Sequence, residues 1–136
     1  MRTLLLVSFC LFLASGCKKN NNDLGSDSIS GTWEIRKTTG GMVGPMSYPP
    51  GNGNKVKITS SAYSMYIGDS LLHTTPVTIS TGTNPQTGKE ASKLTDSTGY
   101  AFYADVIAGR LHVYHGTFAL DGVMNVYARL SEADGD

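Results

Sequence analysis

Apolar and polar side chains alternate through most of the chain from Gly31 onward. Val56 and Ile58, for example, alternate with Lys55 and Lys57, which is the period of a strand that buries one face. No long stretch repeats its apolar residues with the period of a helix. The pattern predicts eight short strands, at residues 32–38, 54–59, 62–67, 70–80, 89–95, 99–107, 110–115 and 123–130.

The segments between these strands have the composition of turns and loops. Gly68-Asp69 and Ala108-Gly109 predict tight hairpin turns, whereas the Gly- or Pro-containing segments 40–54 and 81–88 predict longer connections. Pro76 lies inside a predicted strand, which favours an edge position or a bulge there because proline cannot donate to the ladder. Short strands at this spacing are typical of an all-β barrel or sandwich.

The first 16 residues differ from the rest of the chain. Arg2 precedes the apolar run 4–14, which is too short to span a bilayer and is typical of a signal peptide. The sequence Leu-Ala-Ser-Gly-Cys ending at Cys17 resembles the lipobox of bacterial lipoproteins. That resemblance implies that residues 1–16 are removed and that the Cys17 sulfur carries a diacylglyceryl group. The alternative is an ordinary signal peptide with a cysteine at its end by chance.

Residues 17–30 are polar and nearly free of bulky apolar side chains, so we expect a flexible tether after the acylated Cys17. The folded domain is then expected over 31–136. By resemblance to Gram-negative lipoproteins, the absence of Asp directly after Cys17 implies the outer membrane. The absence of an acidic cluster at 18–21 favours its periplasmic face over the cell surface.

Composition and charge exclude several functional classes. The chain has 11 Lys and Arg against 11 Asp and Glu, so it offers no basic surface, and we expect no nucleic-acid partner. Its two cysteines are Cys10, in the removed segment, and Cys17, which would be acylated, so thiol catalysis is excluded.

Candidate catalytic and metal-binding residues do not form recognised patterns. No carboxylates have a paired spacing, and neither a Gly-x-Ser-x-Gly motif nor a phosphate-cradling loop is present. His112 and His115 are three residues apart and would face opposite sides of a strand, so they and His73 predict no metal site. We therefore expect a protein that is not an enzyme and holds neither metal nor cofactor.

Motifs at both ends of the domain carry a resemblance to a known superfamily. Gly31-Thr32-Trp33 and Tyr127-Ala128-Arg129 resemble the lipocalin and fatty-acid-binding barrels. Gly40-Gly41, Tyr48 to Gly53, Tyr63 to Tyr66 and Asp121-Gly122 are similar to small lipocalin-like lipoproteins of Gram-negative bacteria. The resemblance implies an eight-stranded antiparallel up-and-down β-barrel over residues 31–130.

The same resemblance implies that Arg129 lies across the indole of Trp33, where a cation–π contact contributes about 0.5 to 2 kcal/mol and closes the bottom of the barrel. In the alternative interpretation Trp33 is an ordinary core residue and Arg129 a solvated charge.

The long segment 40–54 would lie over the open mouth of such a barrel. Its apolar side chains then form either a lid over a cavity or a plug in a filled barrel. The candidate entrance residues are Met42, Val43, Met46, Tyr48, Tyr63 and Tyr66.

Two functions are favoured, and an enzyme is the third and least favoured option. The first is a lipid-anchored protein that binds a small hydrophobic or amphipathic ligand in the cell envelope. The second is a filled barrel that serves as a structural or interaction module for an envelope protein. A cavity of about 300 Å³ or more favours the first function, and a packed interior with an exposed apolar loop patch favours the second.

Overall fold

The structure is a computed structural model that describes residues 28–42, 44–116 and 122–130. The predicted signal peptide, the acylation site Cys17 and most of the predicted tether lie outside these residues. So do Val43 and Asp121. Within the described ranges no helix is long and apolar enough to cross a membrane.

All regular structure in the described part of the chain is β-strand. The strands are β1 (Gly31–Gly40), β2 (Met46–Ser47), β3 (Lys55–Ile58), β4 (Ala62–Ile67), β5 (Ser70–Thr83), β6 (Glu90–Asp96), β7 (Ala101–Ile107), β8 (Arg110–His115) and β9 (Val123–Arg129). Eight of them correspond to the predicted strands. The two-residue β2 was not predicted.

The strands form one closed antiparallel barrel. From β3 onward each strand pairs with the next in sequence, β1 pairs with β3, and β9 returns to pair with β1. The short β2 adds to the edge of β1 beyond its pairing with β3. The predicted eight-stranded up-and-down barrel is therefore confirmed. Closure leaves no free edge along most of the sheet, which suits a chain made of many short strands.

Pro76 lies where the long strand β5 changes partner. Its first half pairs with β4 as far as Ala62 opposite Pro76, and its second half pairs with β6 from Val77 opposite Asp96. Val77 N donates to Ser61 O at 2.9 Å, so the nitrogen of Pro76 faces the opposite side, where pairing with β6 has not begun. The proline therefore costs no ladder hydrogen bond, as expected for an edge position.

Trp33 and Arg129 mark one end of the barrel, which we call the closed end. Trp33 is fully buried, its Nε1 donates to Ile29 O at 2.9 Å, and Arg129 Cζ lies 4.0 Å from the indole centroid. Arg129 also donates to Ser30 O at 3.0 Å and to Ser28 O at 2.6 Å. The predicted contact between Trp33 and Arg129 is therefore present.

Gly31 leaves space for this contact. A Cβ on Gly31 would lie 2.7 Å from Arg129 Nη1, and the φ of Gly31 is +136°, so the glycine of the Gly-x-Trp motif leaves room for the guanidinium.

Residues 28–30 belong to the folded domain, because Ile29 is buried in the core. The sequence assigned these three residues to the tether predicted over 17–30.

Candidate ligand-binding cavity

The opposite end of the barrel, which we call the open end, contains a cavity of about 370 Å³. It lies at the end where β1 leads into the segment 41–54 and where β4 turns into β5. The lining residues are Ile35, Tyr48, Asn54, Lys55, Val56, Tyr63, Met65, Tyr66, Ile67, His115, Asn125 and Tyr127. Strand alternation explains much of this set, since Asn125 and Tyr127 lie two apart on β9 and Tyr63 and Met65 lie two apart on β4.

Aromatic rings border the cavity on its core side. Tyr63 meets Phe102 edge to face, with ring centroids 5.0 Å apart and an interplanar angle of 71°. Phe102 in turn stacks on the His115 imidazole at 5.1 Å and 27°. Both arrangements are favourable for aromatic pairs, and they fix the ring planes of Tyr63 and His115 at the cavity wall.

Two buried phenols add hydrogen-bonding groups to this wall. Burial raises the pKa of Tyr63 well above its ordinary value, and the neighbouring Tyr127 adds to the rise. Burial also raises the pKa of Tyr127 to about 12. Both phenols are thus protonated at neutral pH and can act as uncharged donors or acceptors. Asn125 lies beside them, and its Oδ1 accepts a hydrogen bond from Thr38 Oγ1 at 2.8 Å.

His115 is the third polar group of the wall. Burial lowers the pKa of its imidazole, so the ring is neutral at neutral pH. In the described ranges no side-chain hydrogen bond involves this ring, although its backbone oxygen accepts one from Gln86 Nε2 at 3.0 Å. The side chain of His115 is part of the cavity lining.

The only charged lining residue within the described ranges is Lys55. Its Nζ lies 2.5 Å from Asp69 Oδ1, and the Asp69 side chain is 71% exposed. This ion pair lies next to the β4–β5 turn, on the solvent side of the cavity. Exposed pairs of this kind add little stability, but the carboxylate neutralises the lysine at the rim.

The segment 46–54 lies along β1 and forms part of the barrel wall. Met46 pairs with Thr38 on β1, and Tyr48 N donates to Arg36 O at 2.9 Å. The buried carboxylate of Glu34 fixes the segment by accepting hydrogen bonds from Gly51 N at 2.9 Å and Gly53 N at 3.0 Å.

Arg36 Nη1 donates to the same Glu34 carboxylate at 2.5 Å. Burial acts to raise the pKa of Glu34, but the two glycine amides and Arg36 outweigh it and lower that pKa below its ordinary value. The carboxylate is therefore ionised at neutral pH and holds the wall segment in place.

The predicted entrance residues separate into two groups. Tyr48, Tyr63 and Tyr66 line the cavity. Met42 and Met46 are not among the lining residues, and the Met42 side chain is 94% exposed. The backbone pairing of β2 with β1 places Met46 along the wall beside β1.

Sequence reasoning missed three polar residues of the site, namely His115, Asn125 and Tyr127. A signal for them was present. Residues 125, 127 and 129 share one face of β9, so placing Arg129 against Trp33 also places Asn125 and Tyr127 toward the interior. Likewise His115 follows the buried Leu111 and Val113 at the period of a strand.

A second cavity, of about 290 Å³, is lined in part by Ile29 from the segment that precedes β1. Its wall includes the carboxylates of Glu90 and Asp105 and the hydroxyls of Thr81 and Ser92. Burial raises the pKa of Asp105. This wall is less suited to an apolar molecule than the aromatic wall at the open end.

The described residues bring together no group of three or more His, Cys, Asp or Glu side chains that could hold a metal ion. His112 and His115 lie on different faces of β8. His115 stacks on Phe102, whereas His112 stacks on Tyr114 with centroids 6.3 Å apart.

Comparison of the chain with protein-family models, with curated proteins and with solved structures gives no match.

Proposed function

We propose that this protein is a lipid-anchored, lipocalin-like binding protein of the outer membrane that holds a small hydrophobic or amphipathic molecule at the open end of its barrel. The observation that carries the proposal is the cavity of about 370 Å³. Ligand sites are typically concave, mostly apolar and furnished with a few polar groups, with volumes of about 300 to 1,000 Å³. The volume here lies at the lower end of that range and favours a small ligand.

The proposed anchor rests on the lipobox-like sequence that ends at Cys17. Acyl chains contribute about 0.8 kcal/mol per buried methylene, and two or three chains hold a protein on a bilayer stably. A Cys17→Ser protein is expected in the soluble fraction. Recovery of that variant only from detergent-extracted membranes would contradict the lipoprotein assignment.

Native mass spectrometry tests the binding function directly. The mature chain from residue 17, carrying Cys17→Ser, is incubated with a lipid extract of bacterial envelopes and sprayed under gentle conditions. We expect a defined adduct that disappears on denaturation. A clean apo mass before and after incubation contradicts the ligand-binding function.

A matched pair of variants shows whether the adduct occupies this cavity. Met65 lines the cavity and is 38% exposed, so Met65→Trp adds bulk there and should abolish the adduct. Ile107 is 49% exposed at the turn between β7 and β8 and does not line the cavity, so Ile107→Trp should keep it. Equal adducts in both variants would place the ligand elsewhere.

One feature favours an interaction module as a second candidate function. Ile67, Leu71 and Leu72 are each 58–59% exposed on the β4–β5 hairpin. In the described ranges residues 70–75 pair only with β4, since the pairing with β6 begins at Val77. An apolar strand with one unpaired edge can accept a strand of another protein. A partner lost in a Leu71→Lys variant, together with a clean apo mass, would favour this second function.

A further inference from the structure

The cavity wall provides hydrogen-bonding groups but no charge to match a charged ligand. Tyr63, Tyr127 and His115 are all uncharged at neutral pH. Asn125 adds a neutral amide. These groups lie on β4, β8 and β9, so three different strands contribute to one polar lining.

The one charged lining residue in the described ranges does not change this picture. Lys55 contacts Asp69 at the solvent side of the cavity, so its positive charge is compensated before a ligand arrives. A carboxylate or ammonium group beside the aromatic wall would lose its hydration without gaining a counter-charge. Burying an unpaired charge costs far more than burying a hydroxyl that is hydrogen-bonded.

From this arrangement, and resting on the proposed ligand-binding function, we infer that the cavity selects uncharged amphiphiles that insert one neutral hydrogen-bonding group toward Tyr63, His115 and Tyr127. The ligand group is a hydroxyl, a carbonyl or an amide. Its apolar body lies against Ile35, Val56 and Met65. A neutral imidazole has one donor and one acceptor and a phenol can act as either, so the wall can match each of these groups.

A probe series of constant length separates charge from size. The mature Cys17→Ser chain is titrated at neutral pH with 1-octanol, octanoate and octylammonium, and the heat of binding is measured. We expect 1-octanol to bind at least about tenfold more tightly than either ion, a difference of about 1.4 kcal/mol.

Two other outcomes would contradict the account in different ways. Octanoate or octylammonium binding as tightly as 1-octanol would overturn the selectivity while leaving a ligand-binding barrel. Absence of binding by all three probes, together with a clean apo mass after incubation with the envelope extract, would overturn both proposals.

Two variants link the selectivity to this wall. Tyr127→Phe removes one hydroxyl and should weaken 1-octanol binding about tenfold, as expected for one lost hydrogen bond. The matched control is Tyr103→Phe on β7, because Tyr103 lies between the core residues Phe102 and Ala104 and so faces away from the core. Equal affinities in the two variants would remove Tyr127 from the site.

Asn125→Asp places a negative charge on the cavity wall, where the native residue is a neutral amide. The new carboxylate can keep the hydrogen bond from Thr38, and it supplies the counter-charge that the native wall does not offer. We expect octylammonium to bind at least about tenfold more tightly to this variant than to the parent chain, and octanoate to bind more weakly. Unchanged affinities for both ions would show that the probes do not enter this cavity.

Discussion

The two ends of the barrel use aromatic side chains in opposite ways. At the closed end the indole N–H of Trp33 donates to Ile29 O, and the guanidinium of Arg129 covers the ring and donates to two backbone carbonyls. At the open end the rings of Tyr63, His115 and Tyr127 border a cavity of about 370 Å³.

This difference distinguishes aromatic residues that stabilise a fold from aromatic residues that are available to bind a ligand. A polar group whose hydrogen bonds are all made within the protein adds rigidity and has no free donor or acceptor for a ligand. At the open end the phenols of Tyr63 and Tyr127 interact with each other and with Asn125, and all three side chains line a cavity that a second molecule can enter. We therefore expect substitutions at the closed end to lower stability, and substitutions at the open end to lower affinity.

The largest effect is expected for Trp33→Ala. Trp33 is fully buried and belongs to the main core cluster, and truncation of a buried tryptophan costs about 3 to 5 kcal/mol of unfolding free energy. Urea denaturation followed by circular dichroism measures the loss. A loss below about 1 kcal/mol would show that Trp33 does not hold the closed end together.

A smaller effect is expected for Arg129→Lys. Lysine keeps the charge but cannot reproduce the planar fork that reaches both Ser28 and Ser30 while covering the indole. We expect the free energy of unfolding to decrease by about 1 to 3 kcal/mol, with unchanged affinity for 1-octanol.

The control for this variant is Arg110→Lys, at an exposed position on β8, which should change stability by less than about 0.5 kcal/mol. Weakened 1-octanol binding in Arg129→Lys at full stability would mean that the two ends do not have separate roles.

The smallest effect concerns pH and the open end. Burial lowers the pKa of His115 in the folded state, so the unfolded chain takes up its proton at a higher pH than the folded chain. Stability supported by the neutral ring is therefore lost as the pH falls below about 6.5. Denaturation curves of His115→Phe should show a smaller decrease in the free energy of unfolding between about pH 7 and pH 5 than those of the parent chain.

Part of the loss should remain in that variant, because burial also lowers the pKa of His112. His73→Phe, at an exposed position on β5, controls for the removal of a histidine. If the free energy of unfolding decreases equally between about pH 7 and pH 5 in His115→Phe and in the parent chain, the assignment of a buried neutral imidazole is wrong.

The sequence predicts the barrel well because its strands alternate cleanly and its turns carry glycine at the required positions. The contact between Trp33 and Arg129 was expected from the resemblance of their motifs to lipocalin-type barrels, since the two residue types alone also allow an ordinary core tryptophan and a solvated arginine. The extent of β5 was less predictable, because a strand that changes partner at Pro76 depends on pairings between distant segments.

The candidate site was only partly predictable for a related reason. The aromatic character of Tyr63 and Tyr66 indicates a place in the cavity lining. The apolar residues of segment 40–54 are harder to place, because apolar side chains in a loop do not reveal whether the loop covers a cavity or extends a wall. Of these, Tyr48 lines the cavity and Met42 and Met46 do not. The path of this segment along the wall depends on the buried Glu34 carboxylate, which accepts hydrogen bonds from backbone amides 17 and 19 residues away. No local pattern encodes that contact.

The most direct test of the account is a titration of the isotope-labelled mature Cys17→Ser chain with 1-octanol, followed by amide and indole chemical shifts in NMR spectra. We expect the largest chemical-shift changes at Tyr63, His115 and Tyr127, and an unchanged indole N–H signal of Trp33. Shifts that centre on Trp33, or on Leu71 and Leu72 of the β4–β5 hairpin, would contradict it.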